Sequence, residues 1–163
     1  MKKEIVFEFN IIMTGQNDYR IKEDQITDNS FSCKINGEDF KPGNSEPGGC
    51  APLYGGYCND FTIVRITAKC TITKPYKYII IELNNFKGAG EYLLSDTAND
   101  CRYEEFYPDN TYKSTLTKKG KVIIIKDDRV NFILAGSFEF VGANTTDNKN
   151  IITVSNGHFN IKF

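Results

Sequence analysis

Apolar and polar residues alternate along most of this chain, with the period of strands rather than helices. Val64, Ile66, Ala68, Cys70 and Ile72 interleave with Arg65, Thr67, Lys69 and Thr71, which predicts a strand covered on one face. Tyr78 to Leu83 is almost continuously apolar, as for a strand covered on both faces. Glu91 to Leu94, Arg102 to Tyr107 and Tyr112 to Thr117 are weaker strands, the last two separated by a turn at Pro108-Asp109-Asn110. Lys119-Gly120 turns the chain into Lys121–Lys126. The strand from Val130 sets Phe132, Leu134, Phe138 and Phe140 on one face, with Gly136 in line as a bulge or bend. No segment of useful length has helical periodicity.

Turn chemistry supplies registers. Asn36-Gly37 suits a type I′ hairpin, since both residues tolerate positive φ. Pairing outward places Cys33 opposite Phe40, and Lys34 opposite Asp39. Asn156-Gly157 has the same signature and predicts a final hairpin, with Val154 opposite Phe159 and Ile152 opposite Ile161. Asp127-Asp128 predicts a third, with Ile125 meeting Val130 and Ile123 meeting Phe132.

The expectation is one all-β domain over residues 1–163, an antiparallel meander of nine or ten strands. Such a sheet must fold over or close to bury its apolar side. It therefore forms a β-sandwich or a flattened, partly open β-barrel, with a lipocalin-like closed barrel as the alternative. Two segments stand apart: Gly15–Asn29, a polar linker, and Gly43–Asp60, a long Gly/Pro/Tyr loop. Loops of that length are functional or disordered.

Residues 1–15 admit two readings. Met1-Lys2-Lys3 before an apolar stretch has the form of a signal peptide, but Glu4 and Glu8 interrupt it. Ile5, Phe7, Phe9, Ile11 and Met13 alternate with polar residues, which predicts a first strand. Met13-Thr14-Gly15 has the form of a lipoprotein cleavage box, with Gln16 where the lipid-bearing Cys would stand.

Composition narrows the partners. The formal net charge is -1, so nothing draws the chain to a phosphate backbone, and no nucleic-acid partner is expected. The Lys118–Lys121 stretch reads as a solvated turn. Tyr and Phe are abundant, which suits half-buried pleated surfaces. Five cysteines leave at least one unpaired. Cys33 and Cys70 fall on apolar faces as free thiols, Cys101 is unassigned, and a Cys50–Cys58 bridge would staple the long loop in an oxidising compartment. No CxxC pair exists and His158 is the only histidine, so no metal site and no cofactor are expected.

No nucleophile elbow appears. Glu104-Glu105 and Asp127-Asp128 are adjacent pairs, and strand neighbours point to opposite faces. The candidate ligand-binding residues are aromatic. Tyr54 and Tyr57 lie in the long loop, and Tyr103, Tyr107 and Tyr112 surround one turn. A flat ring with a hydroxyl offers a platform for sugar or peptide. Ordinary cross-strand packing is the competing reading of the second group.

Phe31-Ser32-Cys33-Lys34-Ile35-Asn36-Gly37 resembles the opening strand and turn of uncharacterised small lipoproteins of Gram-negative bacteria. Gly136-Ser137-Phe138-Glu139-Phe140 and Ile152–Phe163 resemble their closing hairpin. The likeness covers about a third of the chain and carries strand and turn patterns, with no catalytic residues. It implies a periplasmic or cell-surface protein, membrane-tethered only if the native precursor carries a lipidation signal, and a cytoplasmic one if it carries no signal. Three functions follow as expectations. The first is a non-catalytic exported binding or accessory module for a small molecule, glycan or protein. The second is a barrel-type carrier of a small apolar ligand. The third is a carboxylate-based hydrolase.

Overall fold

The computed structural model describes residues 29–43, 51–95 and 98–163. The strand expected near the N-terminus, the linker up to residue 28 and Cys50 lie outside the described residues. The rest is antiparallel β-structure with one helical turn. The strands are β1 (Ser30–Ile35), β2 (Glu38–Phe40), β3 (Leu53–Cys58), β4 (Ile63–Cys70), β5 (Tyr76–Asn84), β6 (Gly90–Leu93), β7 (Asn99–Phe106), β8 (Asn110–Lys113), β9 (Lys119–Asp128), β10 (Ile133–Asn144) and β11 (Ile151–Lys162). The helical turn α1 is Ser114–Thr117.

One sheet runs β2-β1-β11-β10-β8-β7-β5-β4-β3, while β9 pairs with β10 and β6 with β9. The expected all-β architecture is present, curled into a half-barrel. Two local meanders, β3-β4-β5 and β9-β10-β11, are joined by a fork in β10. Ile133–Val141 of β10 pair with β9, and Ala143–Asn144 pair with β8. α1 sits at this fork. Thr117 Oγ1 donates to the Val141 carbonyl at 2.5 Å, and the buried Ser114 Oγ accepts the Cys101 N–H at 2.9 Å. The expected strand Tyr112–Thr117 therefore stops at Lys113. Where β10 changes neighbours, a side-chain hydroxyl takes over the backbone carbonyl at the gap.

The Asn36-Gly37 hairpin forms as expected, with Cys33 opposite Phe40 and Lys34 opposite Asp39. Asn36 and Gly37 have φ of 50° and 87°, and Lys34 Nζ meets Asp39 Oδ1 at 3.1 Å. The second Asn-Gly pair does not turn the chain. β11 is one strand of twelve residues held by β1 on one side and β10 on the other. Val154 lies opposite Phe140 and Phe159 opposite Gly136, so the expected Val154–Phe159 and Ile152–Ile161 pairs are not made. Asn156, at φ 52°, is a bulge. Between Phe138 and Phe140, β10 advances two residues while β11 advances three, from Gly157 to Val154. The inward positions change parity there, from Ile152 and Val154 to Phe159 and Ile161. His158 is an exposed mid-strand residue beside it, and not the flank of a turn.

The β9–β10 hairpin is also displaced. Its turn is residues 129–132, Asp128 pairs with Ile133, and Ile123 pairs with Ser137 rather than Phe132. Ile125 is not opposite Val130. It is the extra residue of a bulge at the Ala135–Gly136 step, where Gly136 was expected to mark one. Lys119 and Gly120 lie within β9, and the reversal falls on Lys118 at φ 56°. Gly43–Asp60 is not all loop, because it contains β3.

The core is filled. Val64, Ile66, Ile81, Leu83, Leu134 and Val122 are fully enclosed in one cluster fed by both arms of the sheet. Roughly 1.5–3 kcal/mol per buried side chain makes this cluster the main support of the fold. Ile79 to Ile81 are consecutively buried, as expected of a strand covered on both faces.

Candidate functional site

Curling brings edge strand β3 up to the β9–β10 turn. A cleft of about 370 Å³ opens there, walled by Tyr57, Phe61, Phe132 and Phe163, with Asn59 and Asp60 at its rim. Phe61 belongs to the β3–β4 turn, where Asn59, Asp60 and Phe61 all have positive φ, at 47°, 52° and 66°. Thr62 closes this turn, its N–H and Oγ1 donating to the Asn59 carbonyl at 3.1 and 2.6 Å. Phe132 ends the β9–β10 turn at φ 54°. Asp128 organises that turn by accepting the Asn131 N–H at 3.0 Å and its side-chain amide at 2.8 Å. The Phe163 N–H then donates to the Phe132 carbonyl at 2.9 Å, so the last residue is fixed against the turn.

Tyr57 is the floor. Its ring centroid lies 5.0 Å from Phe61, 5.1 Å from Phe163 in an edge contact and 6.0 Å from Phe86. Its hydroxyl donates to Asp127 Oδ1 at 2.5 Å, and Arg129 Nε donates to Asp127 Oδ2 at 3.0 Å. The Arg129 guanidinium also stands over Phe61 and Phe86, at 5.3 and 5.9 Å from the ring centroids. Burial, then the Asp127 bond, push the Tyr57 phenol well above its ordinary range. Phe61 and Phe132, both lining the cleft, remain 36% and 47% exposed.

Of the five tyrosines singled out from the sequence, only Tyr57 enters this cleft. Tyr54 lies on the outer face of β3, with Lys69 Nζ 5.8 Å from its ring centroid. Tyr103 and Tyr112 do meet, stacked at 5.8 Å, but both are buried. Tyr107 is separate. It is 65% exposed, packs on Tyr76 at 5.8 Å and carries Lys74 Nζ 4.6 Å from its centroid. The three-tyrosine platform is therefore not formed, because β7 ends at Phe106 and the positive φ of Tyr107, 67°, turns the chain away from the strand face that Tyr103 shares with Tyr112.

A second cleft, of about 410 Å³, opens at the Cys70 end of β4 and includes Glu38, Asp39, Lys41, Tyr103, Glu105 and Tyr112. The Tyr103 hydroxyl donates to Glu105 Oε1 at 2.6 Å, and Asn110 Nδ2 donates to Oε2 at 3.2 Å. Burial and Glu105 together raise the Tyr103 phenol far above its ordinary range. Asp39 is already paired with Lys34.

Cys58 is exposed on the wall of the first cleft. Its expected partner Cys50 is outside the described residues, so that bridge is not addressed. Among the described residues, no three of His, Cys, Asp and Glu gather to hold a metal ion. No helix among them is long and apolar enough to cross a membrane.

Sequence reasoning missed Phe61, Phe132 and Phe163. Alternation sets Phe132 on one strand face with Leu134, whereas the turn falls later than Asp127-Asp128, at residues 129–132, and includes it. The available signal was an aromatic residue closing a polar turn, in Asn59-Asp60-Phe61 and again in Asn131-Phe132. No protein-family model, curated protein or solved structure matches this chain.

Proposed function

We propose that this protein is a non-catalytic binding module and that its aromatic cleft receives an apolar or flat group of a partner. The observation that carries the reading is the pair Phe61 and Phe132. Bulky residues at positive φ are uncommon and cost roughly 1–3 kcal/mol each when held there. These two leave ring surface in solvent, so burial in the core does not repay that strain. Both face one cleft, and strain of this kind clusters at ligand sites. Among the described residues, the one enclosed carboxylate beside the cleft, Asp127, is taken up by Tyr57 and Arg129, which favours holding over hydrolysis.

Titration with a phenyl glycoside and with a phenylalanine amide, followed by backbone amide shifts, tests the reading. Shifts confined to residues 56–61, 132 and 163, and weakened at least tenfold in Phe61→Ser or Phe132→Ser, are expected. Tyr54→Ala should bind normally, since Tyr54 lies on the other face. Unchanged affinity in both Phe variants would remove the cleft from consideration. Under the carrier reading a free apolar molecule would be enclosed within a closed barrel. Export belongs to the same proposal and rests on the resemblance of residues 31–37, 136–140 and 152–163; cell fractionation of the full-length protein tests it.

A further inference from the structure

Among the described residues, the strand that floors the aromatic cleft is also the end of the sheet. Among the described residues β3 has one neighbour, β4. The Lys69 N–H donates to the Pro52 carbonyl at 2.8 Å, which fixes the phase of this ladder. Successive residues of an antiparallel strand alternate between the neighbour and the far side. With Pro52 bonded to Lys69, the residues Tyr54, Gly56 and Cys58 turn their backbone groups toward β4. Leu53, Gly55 and Tyr57 turn their N–H and C=O groups outward.

Among the described residues this edge lacks the usual protection. Sheet edges are commonly blunted by charge, proline or a bulge. Leu53–Cys58 has no charged residue and no proline, and its register with β4 is unbroken. Gly55-Gly56 puts two residues without side chains at its middle, and a Cβ added at Gly56 would meet nothing within 4 Å. At Gly55 a Cβ would lie 2.6 Å from the Arg65 carbonyl and 3.1 Å from the Phe163 ring. Glycine there lets the last residue of the chain close over the inner face beside the edge.

We infer that β3 accepts an extended peptide of a partner protein as an added antiparallel strand, and that an apolar side chain of this peptide fills the aromatic cleft. The inference rests on the cleft being a binding site, as proposed above. Two features select this occupant. A row of outward N–H and C=O groups is satisfied along its length only by an extended backbone. Leu53, Gly55 and Tyr57 also share the inner face of the sheet. A peptide residue paired with Tyr57 therefore projects its side chain to the same face, toward Phe61 and Phe163. The backbone row gives affinity and the cleft gives preference for a large apolar residue.

The probe is a synthetic peptide, Lys-Thr-Val-Thr-Phe-Thr-Val-Thr-Lys, whose Val and Phe side chains share one face. Paired in this register, its Val and Phe amides point at β3 and its Thr amides point away. Two methylated forms are compared by calorimetry against the full chain. N-methylation of the Val and Phe amides should weaken binding at least tenfold, and N-methylation of the Thr amides should leave it within about threefold. Equal binding of the two forms overturns the edge pairing. In that case a loss on Phe132→Ala would still uphold the cleft itself. Strong discrimination between the methylated forms with no effect of Phe132→Ala would sustain the edge and overturn the cleft reading. A concentration-dependent dimer in sedimentation, abolished by Leu53→Pro, would assign the edge to a second copy of this chain and overturn the proposal.

Discussion

The Tyr57 hydroxyl donates to the Asp127 carboxylate at 2.5 Å across seventy positions of sequence, tying edge strand β3 to the end of β9. Asp127 is 8% exposed, and its other oxygen is held by Arg129. Tyr57→Phe keeps the ring in its aromatic nest and leaves Oδ1 with no donor. The expected loss is about 1–3 kcal/mol, near the upper end because the acceptor is charged. For a chain of this size that lowers Tm by about 2–4 °C per kcal/mol. Thermal and urea unfolding measure it, and a cycle with Asp127→Asn isolates the pair. A variant as stable as the parent would show that the bond contributes nothing net.

The same hydroxyl should report in alkali. Burial and carboxylate bonds raise both Tyr57 and Tyr103 above the ordinary tyrosine value of about 10. A raised folded-state value means the neutral phenol is favoured by folding. The stabilisation is fully present below pH about 10 and is lost as pH rises through the folded-state values. These two should stay un-ionised until the fold gives way. Their tyrosinate absorbance should therefore appear together with loss of the β-sheet circular dichroism. Tyr57→Phe and Tyr103→Phe should each shrink the absorbance change that coincides with unfolding.

The bulge in β11 gives a sharp test of packing. A Cβ on Gly157 would lie 2.5 Å from the Phe138 carbonyl and 2.6 Å from its ring. Phe138 is itself buried against Phe31 and Phe159, so it has nowhere to move. Gly157→Ala should destabilise by about 1–3 kcal/mol through overpacking. Asn156→Ile should cost about 1–2 kcal/mol, because a β-branched residue resists φ of 52°. Asn156→Gly should be nearly neutral. Chemical denaturation of the three variants separates these two causes.

Two Asn-Gly pairs show how far the sequence could be read. Asn36-Gly37 and Asn156-Gly157 carry the same local information, and both place an Asn at positive φ. One makes a hairpin and the other a bulge. A two-residue turn and a one-residue bulge each shift the parity of the apolar positions, so the pattern Ile152, Val154, Phe159, Ile161 fits either. The difference is long-range, because β1 and β10 flank β11 along its length. Most strands and their inward faces were legible from local alternation, and the Cys33–Phe40 register from the Asn36-Gly37 turn; β3 was not, because its Gly-rich sequence reads as loop. The fork in β10 and the pairing of β6 with β9 were not, since they depend on which edges meet. For the site, Tyr57 was legible as an aromatic in an unusual segment. Phe61 and Phe132 were hidden because alternation assigns aromatic residues to faces and says nothing of those held in turns.

The cysteines should divide by environment when the native protein meets a thiol reagent. Cys58 is exposed, whereas Cys33 and Cys101 are buried in the core. Burial pushes the Cys33 thiol up to about 12, and burial followed by Asp100 raises Cys101. Only the thiolate is nucleophilic, so both core thiols are doubly protected, by access and by charge state. In the reduced protein, Cys58→Ser should remove a fast phase of modification, and Cys33→Ser should leave the native time course unchanged. Adding denaturant should release Cys33 and Cys101 together in one step, since both belong to the same buried cluster. Release of Cys33 at lower denaturant than Cys101 would mean that the β1–β2 hairpin opens before the β5–β7 arm, and that the two arms of the sheet do not unfold as one.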